Sequence, residues 1–372
     1  MISTKILYSA VFKTEQIDDL HKIQPLPLPA GSYPYRLTLD EQPADSLTKK
    51  LVFHMVGDTG GVKSADTQQR LADQLTNQCK NALTTSDEPA FLYHLGDLVY
   101  HYGEAQQYDA QFLKPFEVYP APIYAIAGNH DTDVNPDADE NYDSLEAFYT
   151  AFCNTVPRTI HFGENRIRKS QTQPHVYWTM QTPLATIIGL HTNVPKYGHI
   201  TQEQKNWFIK ELQHTATEHP EKAIIICMHH APYSADFNHG SSMPMIRFVE
   251  ECFTAAAVKP DLIFSGHVHN YQRFIKTYED GKSVPFIVAG AGGFEELHQL
   301  ADPFDNTYRT DNELLENVQL INYCDDRHGF LKIAIEKTPF RFTIKGEYYT
   351  MPFENYGSAA LFDEFVIDLT GR

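Results

Sequence analysis

The chain holds 372 residues, 42% of them apolar and 21% charged, a balance that describes a folded protein rather than a disordered or fibrous one. Thirty Lys and Arg against 48 Asp and Glu leave a formal charge of −18, a field that repels a nucleic-acid backbone. No run reaches the ~20 apolar residues needed to cross a bilayer, so neither nucleic acid nor membrane is an expected partner.

Five cysteines, Cys79, Cys153, Cys227, Cys252 and Cys324, are scattered without a CxxC pair and read as buried thiols of a reducing compartment. The opening MISTKILYSAVFKTEQ is too short and too poorly flanked to act as a secretory leader. A cytoplasmic location is the expectation.

Residues 1–50 are rich in proline and polar residues (IQPLPLPAGSYPYR), which favours an extended or edge segment ahead of a single domain over 51–372. From Leu51 a grammar repeats: a short apolar run, a glycine with Asp, Asn or His, then a polar stretch. The runs are 51–56, 91–95, 123–127, 185–190, 223–227, 262–264 and 286–290, and their continuity predicts strands buried on both faces. Between them, 65–83 places Leu71, Leu75 and Cys79 on one helical face, and 201–213 opens on Thr201 as an N-cap. The alternation over 330–346, around Thr338-Pro339, predicts an antiparallel hairpin. The fold class is therefore α/β: two mixed sheets packed together and flanked by helices.

Chemistry-bearing residues fall at the C-terminal ends of the apolar runs, where open α/β sheets place their ligand groups. They are Asp58 in VGDTGG, Asp97 and Tyr100 in LGDLVYHYG, Asn129 and His130 in AGNHD, His229 and His230 in CMHHAP, and His267 and His269 in SGHVHNYQR. Taken singly, a strand-end Asp caps a helix, Gly-Asn makes a turn and a lone His satisfies the core. Gathered at one sheet edge, so many polar groups need a cation to neutralise them. The donors are oxygen and nitrogen with no thiolate, and they exceed what one tetrahedral ion uses, which favours two ions sharing a carboxylate.

The ordered series GD, GDxxY, GNH, HxP and GHxH resembles the calcineurin-like metallophosphoesterases, and GDLVY with GHVHNYQR resembles their purple acid phosphatase branch. Most of the superfamily begins with Asp-x-His; this chain has Asp58-Thr59-Gly60 and instead carries Tyr100 three residues after Asp97. The resemblance implies one metal on Asp58, Asp97, Tyr100 and His269, and a second on Asp97, Asn129, His230 and His267. Of the pair His229-His230, the family's ligand stands two residues before a proline, which implies His230 and leaves His229 to packing or outer support. His130 is implied as a catalytic group that touches phosphate or assists the leaving group, with Asp97 as the shared carboxylate.

A phenol ionises near pH ~10, so only a strongly acidic cation holds it as phenolate at neutral pH; the expectation is Fe(III) at the Asp58, Tyr100, His269 site. Fe(II), Zn or Mn is expected at the other. The implied activity is hydrolysis of a small phosphate monoester by direct attack of a metal-activated water. The same scaffold would also serve a phosphodiesterase or, less readily, a non-catalytic metal-bound scaffold protein.

Several further residues receive bland readings. The acidic stretch 131–143 reads as a solvated loop, because it lacks the spacing and glycine of a calcium loop. Trp207 reads as core, while Tyr233 and Tyr271 read as core residues that could line the substrate mouth. His94, His101 and His161 carry no assigned role.

Overall fold

The computed structural model describes residues 8–17, 19–39, 49–163, 167–352 and 357–371. In chain order its strands begin with β1 (Phe12–Lys13), β2 (Arg36–Thr38), β3 (Lys49–Val56), β4 (Leu92–His94) and β5 (Ile123–Ala125). They continue with β6 (Trp178–Gln181), β7 (Ala185–Leu190), β8 (Ala223–Met228), β9 (Leu262–Ser265), β10 (Tyr271–Thr277) and β11 (Ser283–Ala289). Last come β12 (Tyr308–Arg309), β13 (Val318–Cys324), β14 (Gly329–Lys337), β15 (Phe342–Thr350) and β16 (Ala360–Asp368).

Two mixed sheets carry the molecule. One runs β13-β10-β11-β9-β8-β7-β6-β2 and the other β16-β15-β14-β3-β4-β5. Strands β3, β4 and β5 are parallel, as are β7, β8, β9 and β11, and these are the strands whose apolar runs are continuous. Burial on both faces is the reason, since every residue of β4, β5, β7, β8 and β9 is buried. The hairpin β14–β15 pairs Lys337 with Phe342 and turns where Thr338 N–H donates to the Arg341 carbonyl at 2.8 Å.

The inner faces meet through aromatic and backbone contacts. Tyr93 of β4 stacks on Trp178 of β6 with ring centroids 6.0 Å apart, and Trp178 Nε1 donates to the Ala125 carbonyl at 3.3 Å. Helix Asp66–Ala82 lies outside β3, burying Leu71, Leu75 and Cys79, with His54 held by Gln78 Oε1 at 3.1 Å. Helix Gln202–Glu218 is capped by Thr201, whose hydroxyl accepts from Gln204 N–H at 3.3 Å. It packs on helix Met243–Ala256 and reaches β2 through Glu211, which receives Arg36 in a bidentate pair. The result is helix, sheet, sheet, helix.

Part of the first fifty residues is woven into this body: β2 extends the larger sheet beside β6, and β1 pairs with β12. The expectation for that segment falls in part on residues 1–7, 18 and 40–48, outside the described residues.

The topology brings five parallel strand ends together. Chain leaving β3, β4 and β5 in one sheet and β8 and β9 in the other meets along one edge, and Gly57 N–H closes the seam on the Ala289 carbonyl at 2.9 Å.

Candidate metal centre

Tight turns aim the side chains inward. Asp58, Asp97 and His267 each hold a left-handed backbone, with φ of 59°, 54° and 67°. Non-glycine residues rarely accept that conformation, and each costs on the order of 1 kcal/mol or more, so strain gathers where function needs a fixed direction. Close approach adds to the demand. A Cβ on Gly96, itself at φ +95°, would sit 2.5 Å from Gly128 N, and one on Gly266 would sit 2.6 Å from Asp58 Oδ2.

The first cluster is Asp58, Tyr100 and His269. The Tyr100 hydroxyl donates to Asp58 Oδ1 at 3.2 Å and lies 3.1 Å from His269 Nε2, while that nitrogen lies 3.7 Å from Asp58 Oδ1. His269 Nδ1 donates to the Glu296 carbonyl at 3.0 Å, which fixes the tautomer and leaves Nε2 as the lone pair facing the cluster. Gln111 holds the Tyr100 backbone from both sides, accepting its N–H at 2.8 Å and donating to its carbonyl at 2.6 Å. Burial, then Asp97 and Asp58, push the Tyr100 phenol well above its ordinary range.

The second cluster is Asp97, Asn129, His229 and His267. His229 Nδ1 donates to the Leu95 carbonyl at 2.8 Å, and its Nε2 lies 3.2 Å from Asp97 Oδ2 and 3.1 Å from Asn129 Oδ1. His267 Nε2 donates to the Lys196 carbonyl at 3.0 Å, and its Nδ1 lies 2.9 Å from Asn129 Oδ1. A neutral ring so tied turns a lone pair toward another acceptor, an arrangement that only a proton or a cation reconciles. Asp97 borders both clusters, because its charge also acts on the Tyr100 phenol.

The electrostatics divide the two carboxylates. Burial pushes Asp58 well above the ordinary carboxylate range; His229 opposes this and Asp97 adds to it. Burial also acts on Asp97, but His229 and then His130 hold it below that range. Burial lowers His229 and the Asp97 carboxylate raises it further, with a net rise to about 9. His267 and His269 are held well below the usual imidazole value, by burial first and then by neighbouring histidines. Neutral His267 therefore presents a lone pair to Asn129, and the donor set fits a cation between them.

His230 is the ring expected from the sequence to face the centre, and the structure sets His229 against Asp97 and Asn129 beside it. His229 points into the centre, whereas His230 Nδ1 lies 2.7 Å from Thr192 Oγ1 and its buried Nε2 has no partner among the described residues. His229 is the first residue beyond β8, and its position at the strand end turns it toward Asp97 and Asn129, while the His230 ring packs 4.2 Å from that of His267.

His130 sits at the rim, half-exposed, its ring 4.4 Å from that of Tyr100. Its backbone N–H donates to Asp97 Oδ1 at 2.9 Å and its Nδ1 to the His101 carbonyl at 2.6 Å, leaving Nε2 for an incoming group.

Four residues have surroundings that the sequence does not indicate. Asp131, read as the start of a solvated loop, is fully buried and receives N–H bonds from Leu98 at 3.1 Å and Gly128 at 2.9 Å, and the Tyr108 hydroxyl at 3.1 Å. Burial and then Asp97 raise it to about 7, so it braces two motif loops; its place in Gly-Asn-His-Asp was the available signal. Tyr271 and Tyr233 do not line a mouth: Tyr271 is buried on Asp363 and Tyr348, and Tyr233 against Phe286. His94 is buried with Nε2 on Thr59 Oγ1 at 2.8 Å.

A further trio, Asp236, His239 and His298, also lies close enough to share an ion. Its carboxylate is spent differently: it accepts from Ser234 Oγ at 2.9 Å and from the N–H groups of Asn238 at 3.0 Å and Gly240 at 2.8 Å, and pairs with His298 Nδ1 at 3.3 Å. Asp236 thus knots its own loop and sets two rings beside the centre, His298 stacked 4.3 Å from His269 and His239 4.1 Å from His267.

Comparison with known proteins agrees with this geometry. The family model of the calcineurin-like phosphoesterases matches residues 51–271. Purple acid phosphatase 1 of Ipomoea batatas is 28% identical over 234 residues, which cover 60% of this chain and 42% of that protein, so the chain matches less than half of its length. Among solved structures, GAP50, the anchor in the inner membrane complex of Plasmodium, superposes with a TM-score of 0.57 at 13% identity over 87% of this chain and 90% of that one. PhoD superposes with a TM-score of 0.51 at 15% identity over 93% of this chain and 72% of that one. Both structural likenesses speak to the fold alone. With the motif loops at the strand ends and the family model spanning more than half of its length, the chain belongs to the calcineurin-like phosphoesterases, a family that depends on two metal ions.

Proposed function

We propose that the chain is a binuclear metal-dependent hydrolase of small phosphate monoesters, of the acid phosphatase type. The observation that supports this above the others is the set of three imidazoles, His229, His267 and His269, each tied by one nitrogen to a backbone carbonyl and turned by the other toward side-chain oxygen. In this reading Asp58, Tyr100 and His269 hold one ion, Asn129, His229 and His267 hold the other, and Asp97 is shared. Ions bound there supply an acidified water and neutralise the phosphoryl oxygens.

The chain's own residues do the rest. Asp97 fixes the distance between the two clusters and, through the His130 N–H, the position of the rim histidine. With a proton on Nε2 as well, His130 donates to a phosphoryl oxygen or hands that proton to the leaving oxygen. Asp131 keeps the two loops in register without touching substrate. The high proton affinity of Tyr100 means that only a strongly Lewis-acidic ion displaces its proton, which is the case for Fe(III) beside it and a divalent Fe, Zn or Mn at Asn129.

The monoester preference rests on the N-terminal arm. It binds loops on both sides of the centre, through Val11 N–H to the Ser234 carbonyl at 2.9 Å and Lys22 to Asp133 at 3.2 Å, and so leaves less room for a second ester group. We also infer a cytoplasmic location from five buried, unpaired cysteines. Among the described residues no helix is long and apolar enough to cross a membrane.

Turnover of p-nitrophenyl phosphate against its bis ester, on protein purified without chelators and assayed for metals, tests the proposal. Preference for the monoester with about two ions per chain is the expected result. Equal or better turnover of the diester overturns the specificity, and no turnover with metals present overturns the activity.

A further inference from the structure

The N-terminal arm carries a cation to the rim of the centre. Val11 is held between two residues of the His239 loop, donating to the Ser234 carbonyl at 2.9 Å and accepting from Ser241 N–H at 2.6 Å. Gln16 fastens the same loop again, donating to the Ser241 carbonyl at 2.8 Å and accepting from Met243 N–H at 3.1 Å. Between these anchors, Lys13 places its ammonium 2.8 Å from the Asn238 carbonyl, one residue before His239. The His239 ring in turn lies 4.1 Å from that of His267.

A second lysine arrives from the other side. The Lys196 carbonyl accepts His267 Nε2 at 3.0 Å, so its backbone belongs to the wall of the centre. Its side chain is half-buried, and among the described residues its ammonium makes no hydrogen bond or ion pair. Burial and then Lys13 lower its proton affinity, and Lys196 and Lys13 both act on His239. The carboxylates whose charge acts on it are Asp236, whose lone pairs are filled by its own loop, and Asp19. In a chain of net charge −18, an ammonium left half-buried with neither carboxylate in direct contact is a desolvation cost that a bound anion would offset.

We propose that Lys13 and Lys196 form a subsite for a second phosphoryl group, so that the favoured substrates carry one phosphate to the metal centre and another to the two ammonium groups. This rests on the phosphoester-hydrolase reading above for what happens to the first phosphate; binding of the second does not depend on it. Pyrophosphate and nucleoside diphosphates have the required chemistry. The arm is then part of the site, because without residues 11–16 the Lys13 ammonium has no fixed position.

The test is calorimetric binding of pyrophosphate and of orthophosphate to the metal-loaded full chain, as wild type and as Lys196→Gln, Lys13→Gln and Lys196→Arg. A lost charge-assisted bond predicts that each Gln variant binds pyrophosphate about 10-fold more weakly, with a much smaller effect on orthophosphate, and that Lys196→Arg retains most of the affinity. Equal weakening of both ligands, or no weakening of either, overturns the subsite. Lys13→Gln changes a residue of the short β1–β12 ribbon, outside the two large sheets, so it gives the answer even if Lys196→Gln disturbs the wall. Turnover of p-nitrophenyl phosphate by the same wild-type preparation separates the two ideas: selective pyrophosphate binding without turnover keeps the subsite and removes the hydrolase.

Discussion

His267 Nδ1 stands 2.9 Å from Asn129 Oδ1 although the other ring nitrogen is already committed to the Lys196 carbonyl. Two acceptors that close, on part-buried groups beyond β9 and β5, repel unless a cation lies between them. Chelation therefore removes the one thing that reconciles them. We expect exhaustive chelation to lower the thermal midpoint by several degrees and to abolish turnover, with both restored by added metal. Scanning calorimetry checks this, and an unchanged midpoint in metal-free protein contradicts it.

Tyr100 provides a spectroscopic check. Its hydroxyl reaches both Asp58 and His269, so in the iron reading the phenolate is a direct ligand and the protein is coloured. Tyr100→Phe removes one oxygen and keeps the ring between His130 and Phe294, whose centroids lie 4.4 and 4.2 Å away. Loss of the visible band with a folded, metal-binding protein is the expected outcome. A colourless wild type with full activity on two zinc or manganese ions would remove the case for iron.

The adjacent histidines separate by metal content. His229→Ala deletes a ring whose Nε2 faces both Asp97 and Asn129, and we expect it to lose about one ion per chain and most of the turnover. His230→Gln disturbs a ring bonded to Thr192 and packed 4.2 Å from His267, and outer partners of this kind cost roughly 10- to 100-fold in metal affinity or activity. Its two ions should be recovered at saturating metal. Elemental analysis of the two variants, with the opposite pattern, would return the ligand role to His230.

Acid should weaken the fold at a site remote from the chemistry. His54 is fully buried between Tyr119 and Gln78, and burial lowers its proton affinity to about 3. An unfolded histidine titrates near ~6.5, so between about pH 6.5 and 3 the unfolded chain takes up a proton that the native chain refuses. Stability then falls with falling pH, by at most ~1.4 kcal/mol per pH unit for this one group. His54→Phe is expected to be less stable at pH 7, with the gap to wild type narrowing toward pH 5. A constant gap in chemical denaturation would show that His54 is not the titrating group.

The sequence made the seven buried strands legible because each is apolar at nearly every position, and that pattern has no other common use. It hid β10, β13 and β16 because YQRFIKT, VQLINYC and ALFDEFVID mix polar residues into faces that are partly exposed. Asp58, Asp97, Tyr100, Asn129, His267 and His269 were legible as a group because each follows a strand end, which fixes where the backbone goes. Side-chain direction was not legible: nothing in His229-His230 says which ring turns inward, and the charge of the acidic stretch masks that Asp131, alone among its acidic residues, is buried. The arm was least legible of all, since its anchors at Ser234, Ser241 and Met243 lie more than 200 residues away in the chain.

Anomalous diffraction from crystals of the metal-loaded protein tests the central claim most directly. The account predicts two peaks on either side of the Asp97 carboxylate, about 3.5 to 4 Å apart, one against Tyr100 and the other against His229. A single peak, no peak, or density seated instead among Asp236, His239 and His298 would contradict it.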